Sequence, residues 1–569
     1  MLCLWNTGGT MAESYQFKPH ERPIIPGSPF NPDHPSHRMW AYGAIGVLAA
    51  LTGGLGNALV IANLAFFQGT LGLTAVEAAW IPAAYVMTNV CANLVLVKFR
   101  QQFGLGLFIK LVLILYILTV VTHLFVHGFW SAILIRAVSG IAAAGLITLG
   151  ILAMLQAFPA PKRLFAIMIG ISVPQLATPI ARMIAPGLLE WGDWRMAYFF
   201  ELGLALLTLA AVLALPFPPS EREKVFERAD FITIGLLFPG IGLLCAALAL
   251  GRTIWWTSQP WLGWALIGAI VLITAGIAFE HRRDRPLLTT RWLSQWIILR
   301  IALIAIFVRI LLSEQTFGSI GLLSALGMGV DQFQTLYVIV TLASIAGLVT
   351  AIVTFRPQSP ARGIQVACLL IAIGAFMDAG ATNLTRPANV YLSQALIGFG
   401  ALLFIGPAMV IGISRTLLAG PQNFISWVVL FSATQNLGGL FGSAIFGTLQ
   451  TIREKFHSHD LVEQVLLTNP AVAGRLSASA SQVSGVIIDP VLRSAQGAAL
   501  LSSAVAREAN VLAYNDVFLV IGILACLLFL WGVSIELRMR QRGEISPIIL
   551  LVQRLAAMAS DGAKEGQPS

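Results

Sequence analysis

The feature that most restricts the fold of this chain is a succession of apolar runs, each about as long as a bilayer is thick. A hydrocarbon core about 30 Å thick requires about 20 apolar residues for one helical span. Lipid offers the backbone no hydrogen-bond partners, so each span must be a helix or part of a closed barrel. These runs do not alternate as barrel strands do. The sequence therefore predicts an all-α integral membrane protein.

Composition supports this and excludes other classes of protein. Of the 569 residues, 57% are apolar and 11% are charged, whereas soluble proteins have about 25% charged residues. The net charge is +9, but the basic residues lie in short loops between apolar runs, which is typical of loops that face anionic membrane lipid. We therefore predict contact with lipid and no binding of nucleic acid. The sequence has no phosphate-binding loop, metal motif or nucleophile elbow, so we predict no enzyme activity, cofactor or metal.

The spacing of the runs divides the chain into five parts and predicts fourteen spans in groups of six, two and six. The predicted parts are a cytoplasmic leader (1–39), an N-terminal six-helix half (40–216), a two-helix insert (230–280), a C-terminal six-helix half (295–536) with an external loop (452–512), and a cytoplasmic tail (537–569).

The distribution of Lys and Arg predicts the orientation of these spans. One alternate set of loops holds most of the basic residues, and the positive-inside rule places that set and both termini in the cytoplasm. The loop 452–512 is then external. Its apolar positions recur at helical spacing between polar residues, which indicates amphipathic helices rather than another span.

Motifs spread over most of the chain resemble one transporter family. The matching positions are Asn57, Ala58, Trp80, Tyr85, Arg136, Gly140, Pro179, Trp194 and Arg195. They resemble the fourteen-span drug:proton antiporters of the major facilitator superfamily, and the long loop before the last span is similar to that of Emr-type exporters. The resemblance implies the major facilitator fold, two six-helix bundles plus two extra central helices. It also implies a periplasmic adaptor at the external loop, which passes substrate towards an outer-membrane channel.

The departures from the family pattern concern its coupling residues. Thr52 occupies the position where the first-helix motif usually has Asp, Gln101 replaces the Asp of the first cytoplasmic loop, and Ser139 replaces Gln. Ala181 and Arg182 replace the usual Gly-Gly. Proton coupling through a first-helix carboxylate is therefore not expected here.

Charged groups inside predicted spans are the first candidates for a functional site, since burying one in lipid costs at least about 2.5–3.5 kcal/mol. Arg136 and Arg182 lie at similar depth in the outer half of their spans. Gln175, Thr178 and Arg182 share one helical face, interrupted by prolines, and we expect that face to line a cavity. The alternative is that each arginine only holds helix ends or backbone carbonyls in place.

Few carboxylates are available inside the spans. Glu201 is the first candidate for proton exchange, because a carboxyl partly removed from water can hold a proton near neutral pH; the alternative is an ion pair with Arg182 or Arg195. Glu314 and Asp378 are next in line. Arg300 and Arg309 are nine residues apart and so lie on opposite faces of a helix, and we expect Arg309 to point into the cavity.

Amide and small side chains mark two further stretches. In the thirteenth span Ser432, Gln435, Asn436, Gly439 and Ser443 form one stripe, which suits either substrate binding by the two amides or close helix packing. Asn57 in the first span is equally ambiguous, and Tyr85 is a candidate through the family motif.

The function predicted from these observations is secondary-active transport across a bacterial inner membrane. We expect proton-coupled efflux of small amphiphilic or aromatic compounds, and the excess of Arg over carboxylates in the spans favours anionic ones. An importer or uniporter of the same fold, or a membrane scaffold or receptor that transports nothing, would share these sequence features.

Overall fold

The computed structural model describes residues 21, 23, 27–159 and 162–554. Within this part of the chain the backbone is helical, apart from connecting loops and one isolated bridge between Pro29 and Ser220. The predicted all-α fold is thus confirmed. The predicted leader as far as residue 20 and the end of the predicted tail, 555–569, lie outside the described residues.

The N-terminal half follows the predicted spans closely, and its two interruptions have local causes. The fifth span bends through a 3₁₀ turn, Val173–Leu176, because Pro174 has no N–H to donate. The predicted first span 40–66 is broken at Asn63, which caps one helix and precedes the next. The helices are α1 (Ser36–Ala62), α2 (Leu64–Thr70), α3 (Ala75–Phe103), α4 (Leu105–His123), α5 (Phe129–Ala157), α6 (Arg163–Ser172), α7 (Ala177–Glu190) and α8 (Arg195–Ala214).

The insert and the C-terminal half come next along the chain. Their ninth span is interrupted by a π-helical turn, Glu314–Gly318, a feature frequent at functional sites. The helices are α9 (Arg228–Ile254), α10 (Pro260–Arg282), α11 (Thr290–Leu293), α12 (Trp296–Leu311), α13 (Ser319–Ala325), α14 (Gln334–Val353), α15 (Arg362–Asp378), α16 (Tyr391–Ala419), α17 (Phe424–Glu463), α18 (Pro470–Gln482) and α19 (Pro490–Gln541).

Within the described residues, thirteen helical segments are long and apolar enough to cross a membrane. The predicted eleventh span corresponds to α15, which has 17 residues and lies at the lower limit of about 17–25 for a crossing. Contacts tie the start of α1 to the end of α8 (Tyr42 to Pro216) and the end of α3 to the start of α9 (Lys98 to Asp230). We call this end of the bundle, which also carries Arg283 and Arg362, the basic side.

The core of the N-terminal half is the contact between α1 and α5. A Cβ atom at Gly150 would lie 2.8 Å from the Ala50 Cβ and 3.0 Å from the Gly46 carbonyl oxygen. Small residues at these positions allow the two backbones to approach closely, which is how membrane helices associate without a hydrophobic driving force.

The two-helix insert is attached to the N-terminal half by a buried ionic network on the basic side. Lys98 of α3 lies 2.7 Å from Asp230 of α9, and Arg283 lies 2.9 Å from the other oxygen of Asp230. Arg283 also pairs with Glu280 at 2.6 Å and with Glu227 at 3.0 Å. Each of these charges has an opposite partner, which makes their burial tolerable.

The region of the predicted external loop is largely helical, and its helices are mostly extensions of the flanking spans. Most of it continues the flanking spans, since α17 runs to Glu463 and α19 begins at Pro490. Only α18 is separate, and it packs on α19, where Gly497 faces Ala480. Arg453 of α17 pairs with Asp516 of α19 at 2.6 Å. Charged residues do not end these helices, because exposed or half-buried polar side chains such as Lys, Glu and Arg are compatible with a helix.

Candidate functional site

A central cavity of about 240 Å³ lies between the two halves. It reaches from Asn57, in the last third of α1, to Arg100 at the end of α3 and Phe424 at the start of α17, and therefore extends to the basic side. At the other side the halves touch, since Met183 of α7 packs against the cluster around Leu336 and Tyr337 of α14. Six of the nine predicted site residues line the cavity: Asn57, Tyr85, Gln175, Arg309, Gln435 and Asn436.

The predicted face of the fifth span lines the cavity only in its first part, from the 3₁₀ turn to the start of α7. Gln175 and Thr178 line the cavity, but Arg182 does not. Its guanidinium instead lies over the ring of Tyr337 of α14, 5.5 Å from the ring centre, a cation–π geometry. The prediction that Arg182 lines the cavity was therefore wrong. The face it shares with Gln175 runs beyond the end of the cavity, to the level where the halves meet.

Arg136 is buried behind the cavity wall, with 2% of its surface exposed. It donates one hydrogen bond to the Gly56 carbonyl at 3.0 Å and another to Oδ1 of Asn57. It also lies over the ring of Tyr85, 4.6 Å from the ring centre. Arg136 therefore does not face the cavity but holds in place two residues that do, Asn57 and Tyr85.

Glu201 is buried as well, and its hydrogen bond with the Tyr116 hydroxyl constrains its protonation. The Tyr116 hydroxyl lies 2.7 Å from Glu201 Oε1 and 2.7 Å from the Thr52 carbonyl. One hydroxyl carries one proton and can donate to only one of two acceptors. Both contacts are favourable when Glu201 is protonated and donates to Tyr116, which then donates to Thr52.

The alternative partners foreseen for Glu201 are engaged elsewhere. Arg195 pairs with Asp193 at 2.6 Å and stacks on Trp194, and Arg182 lies on Tyr337. In the part of the chain that the structure describes, Glu201 forms no ion pair. Its neighbours are the Tyr116 hydroxyl and the backbone of Gly56, where an added Cβ would lie 2.5 Å from Glu201 Oε1.

The C-terminal wall of the cavity is built on α12 and α17. Arg309 Nε donates to the Gln435 carbonyl at 3.1 Å. The backbones approach because Gly438 has no side chain; a Cβ there would lie 2.9 Å from the Arg309 Cβ. The predicted stripe on α17 divides by depth: Ser432, Gln435 and Asn436 line the cavity, whereas Gly439 and Ser443 do not.

A second group of buried acids lies in the C-terminal half. Glu314, in the π-helical turn, and Asp378, at the end of α15, are 0% and 4% exposed. Gln394 Nε2 donates to both, at 2.9 Å and 2.8 Å, and Ser393 donates to Asp378. Gln394 therefore bridges the two carboxyl groups, which brings two acids close together away from water.

Sequence reasoning missed part of the N-terminal wall. Asn89 and Asn93 of α3 and Thr148 of α5 also line the cavity. The available signal was two amides four residues apart in an apolar run, hence on one helical face. Among the described residues, no group of His, Cys, Asp and Glu is arranged to hold a metal ion.

Comparison with known proteins supports the resemblance seen in the motifs. A family model described as Major Facilitator Superfamily matches residues 46–443. The multidrug export protein EmrB of Escherichia coli K12 is 24% identical over 400 residues, covering 68% of this chain and 73% of EmrB. The probable multidrug resistance protein EmrY of the same strain is 25% identical over 235 residues, covering 40% of this chain and 45% of EmrY. The crystal structure of the human organic anion transporter MFSD10 has the same fold, with a TM-score of 0.51 and 14% identity over 87% of this chain and 100% of that chain.

Proposed function

Because this chain belongs to the major facilitator superfamily and is a multi-pass membrane transporter, we propose that it exports small amphiphilic or aromatic compounds across a bacterial inner membrane in exchange for protons. The names of EmrB and EmrY, a multidrug export protein and a probable multidrug resistance protein, support efflux. The central cavity between the halves is the substrate site in this proposal, in keeping with transporters whose two bundles rock around a site near the bilayer midplane.

The lining of the cavity supports an anionic or weakly acidic substrate. Arg309 and Arg100 are among the lining residues, and the described lining includes amides but no carboxylate. Leu96, Ile147 and Val428 supply apolar surface. A compound with an aromatic or aliphatic body and one acidic group would match both features.

The protonation of Glu201 inferred from its contacts supports coupling in the N-terminal half, and this single observation carries the proposal of proton exchange. If Glu201 loses its proton, its carboxylate and the Thr52 carbonyl compete for the one Tyr116 hydroxyl. Thr52 lies in α1, five residues before Asn57, which lines the cavity and accepts a hydrogen bond from Arg136. Release of the proton would therefore strain the helix that contacts the substrate and so link the two events.

The test uses reconstituted protein and a substrate found with a susceptibility panel of dyes and aromatic acids on a deletion strain. Glu201→Gln keeps the shape and can donate to Tyr116, so it mimics the protonated form. We expect this variant to retain substrate exchange without a gradient but to lose transport driven by a pH gradient.

Glu190→Gln, a matched change at the exposed end of α7, should leave both activities intact. Full gradient-driven transport by Glu201→Gln would place the coupling carboxyl elsewhere, with Glu314 and Asp378 next in line. Accumulation in the opposite direction would favour an importer, and folded protein without any transport would favour a scaffold.

The segment between α17 and α19 supports the proposal of a periplasmic adaptor. The 40 residues of α17 span about 60 Å, roughly twice the thickness of a bilayer core. At the tip, Leu466, Leu467, Val486 and Ile488 are 59–89% exposed. Exposed apolar surface of this kind marks an interaction site.

Replacing residues 464–489 by a flexible linker removes this tip but keeps the pairing of Arg453 with Asp516. We expect normal membrane insertion and normal transport in proteoliposomes, with loss of resistance in cells. Unchanged resistance would show that the tip has no such partner.

A further inference from the structure

A second cavity, of about 160 Å³, lies inside the C-terminal half at the basic side. It is enclosed by the first turns of α12, the start of α15 and the ends of α16 and α19. None of its lining residues lines the central cavity. Its walls are mainly apolar and include Ile301, Ile304 and Leu528. We call it the basic-side pocket.

Two arginines, Arg300 of α12 and Arg415 of α16, line this pocket. Arg300 is nine residues from Arg309 and thus points away from the central cavity. Nε of Arg415 is buried and has no hydrogen-bond partner in the described part of the chain. The neighbouring Arg540 is already paired with Glu536. The pocket therefore brings together two guanidinium groups that lack full compensation.

The segment after α19 forms the remaining wall. Ile548 and Leu551 are 1% and 4% exposed, and Arg554 donates to the Leu418 carbonyl at 2.8 Å. This docking brings Glu544 to the lining of the pocket, alongside Arg300 and Arg415. Glu544 forms its ion pair, however, with Arg542, at 3.8 Å. The single carboxylate of Glu544 thus has three cations near it, Arg300, Arg415 and Arg542.

We propose that the basic-side pocket binds one anionic phospholipid, with the phosphate between Arg300 and Arg415 and an acyl chain along Ile301, Ile304 and Leu528. The planar forks of two guanidinium groups suit phosphate oxygens. The apolar walls lead from these arginines towards the middle of the helices, as an acyl chain does from its headgroup. A free amphiphilic anion has the same chemistry, but the level of the pocket at the ends of the spans is that of lipid headgroups.

The proposal gives Glu544 a definite role as a competitor of the phosphate. Of the two carboxylates among the described lining residues, Glu536 is paired with Arg540, which leaves Glu544 beside Arg300 and Arg415. A bound phosphate would replace this weak, divided attraction with direct contacts to both guanidinium groups. Removing the charge of Glu544 should therefore strengthen lipid binding rather than weaken it.

The experiment measures the unfolding temperature of the full chain in neutral detergent while a probe is titrated. Phosphatidylglycerol should raise the unfolding temperature, whereas phosphatidylcholine and inorganic phosphate should not. Arg300→Gln or Arg415→Gln should raise the half-saturating lipid concentration about tenfold or more, the equivalent of losing a charged hydrogen bond. Arg282→Gln, an exposed arginine on the same side, is the matched control and should respond like the wild type.

Further titrations identify the occupant of the pocket, and a third variant gives a result if the arginine variants do not fold. An equal response to oleate would assign the pocket to a free amphiphile, and a response to inorganic phosphate would remove the acyl chain from the proposal; either result overturns the lipid assignment. An equal lipid response of the wild type and both glutamine variants overturns the pocket itself. If those variants do not fold, Glu544→Gln decides, because it should lower the half-saturating concentration, and an unchanged or higher value overturns the proposal. No transported substrate is needed, so the outcome is independent of the proposed export function.

Discussion

The two six-helix halves differ most where their first and fourth helices face each other on the basic side. In the N-terminal half, Gly46, Ala50 and Gly150 bring α1 and α5 into backbone contact. In the C-terminal half, Ile301 of α12 and Ile411 of α16 face a cavity between the corresponding helices. The same topology thus accommodates close contact between two helices in one half and a pocket between the corresponding helices in the other. The difference follows from side-chain volume, since glycine and alanine allow contact that isoleucine and arginine prevent.

The halves also differ in how they keep acids inside the membrane. Among the described residues, the spans of the N-terminal half bury one carboxyl, Glu201, which contacts the hydroxyl of Tyr116. Those of the C-terminal half bury two, Glu314 and Asp378, which share the amide of Gln394. A lone buried carboxyl that loses its proton has few neighbouring donors to stabilise its charge. A pair of carboxyls with an amide between them has several. The comparison suggests that the N-terminal half is the more sensitive to protonation.

The largest effect expected from this comparison concerns Arg136, which lies behind the wall of the central cavity, and Arg309, which lines it. Arg136→Ala in the N-terminal half leaves a void and unpairs the Gly56 carbonyl and Asn57, which should reduce the free energy of unfolding by about 2–5 kcal/mol. Arg309→Ala in the C-terminal half should lower substrate binding with little loss of folded protein, because Arg309 faces the cavity. Thermal unfolding and a binding assay on both variants separate these effects. Equal stability of the two variants would show that Arg136 has no greater structural role than Arg309.

A medium effect on stability is expected at the close contact between α1 and α5 around Gly150. Gly150→Ala places a methyl group 2.8 Å from the Ala50 Cβ, and such overpacking should reduce the free energy of unfolding by about 1–3 kcal/mol. Gly203→Ala is the control, because a Cβ there meets nothing within 4 Å. In the C-terminal half, Ile411→Phe enlarges a residue beside the pocket and should be tolerated better than Gly150→Ala. Unfolding temperatures in one detergent give the order, and a larger loss with Ile411→Phe would contradict it.

The smallest effect is expected at the hydroxyl that supports the acid pair. Ser393→Ala removes one donor to Asp378, but Gln394 still donates to both acids, so the loss of stability should be about 0.6 kcal/mol.

Tyr116→Phe is the counterpart in the N-terminal half: it removes the hydroxyl that Glu201 contacts and should abolish the response of transport to a pH gradient. Measuring gradient-driven transport for both variants sharpens the contrast. Loss of the response in Ser393→Ala but not in Tyr116→Phe would move the sensitive acid to the C-terminal half.

The sequence by itself determined the membrane class, the helical spans and the family, because lipid makes helix formation obligatory and apolar run length sets each span. It also placed Arg309 and Arg300 on opposite faces, since helical periodicity is a local property, and the structure indeed directs them to different cavities. Helix ends were less predictable: α17 continues to Glu463, since the charged, exposed residues of its last turns are compatible with a helix outside the apolar span.

Only the tertiary structure decided which polar groups meet. Glu314 and Asp378 are 64 residues apart in sequence, and their shared partner depends on the packing of α15 against α16, which brings Gln394 between them. In the same way, the depth of Arg182 in its span was predictable, but its place over Tyr337 of the other half was not. Periodicity fixes the face on which a side chain lies, whereas the neighbour opposite that face depends on how separate helices pack.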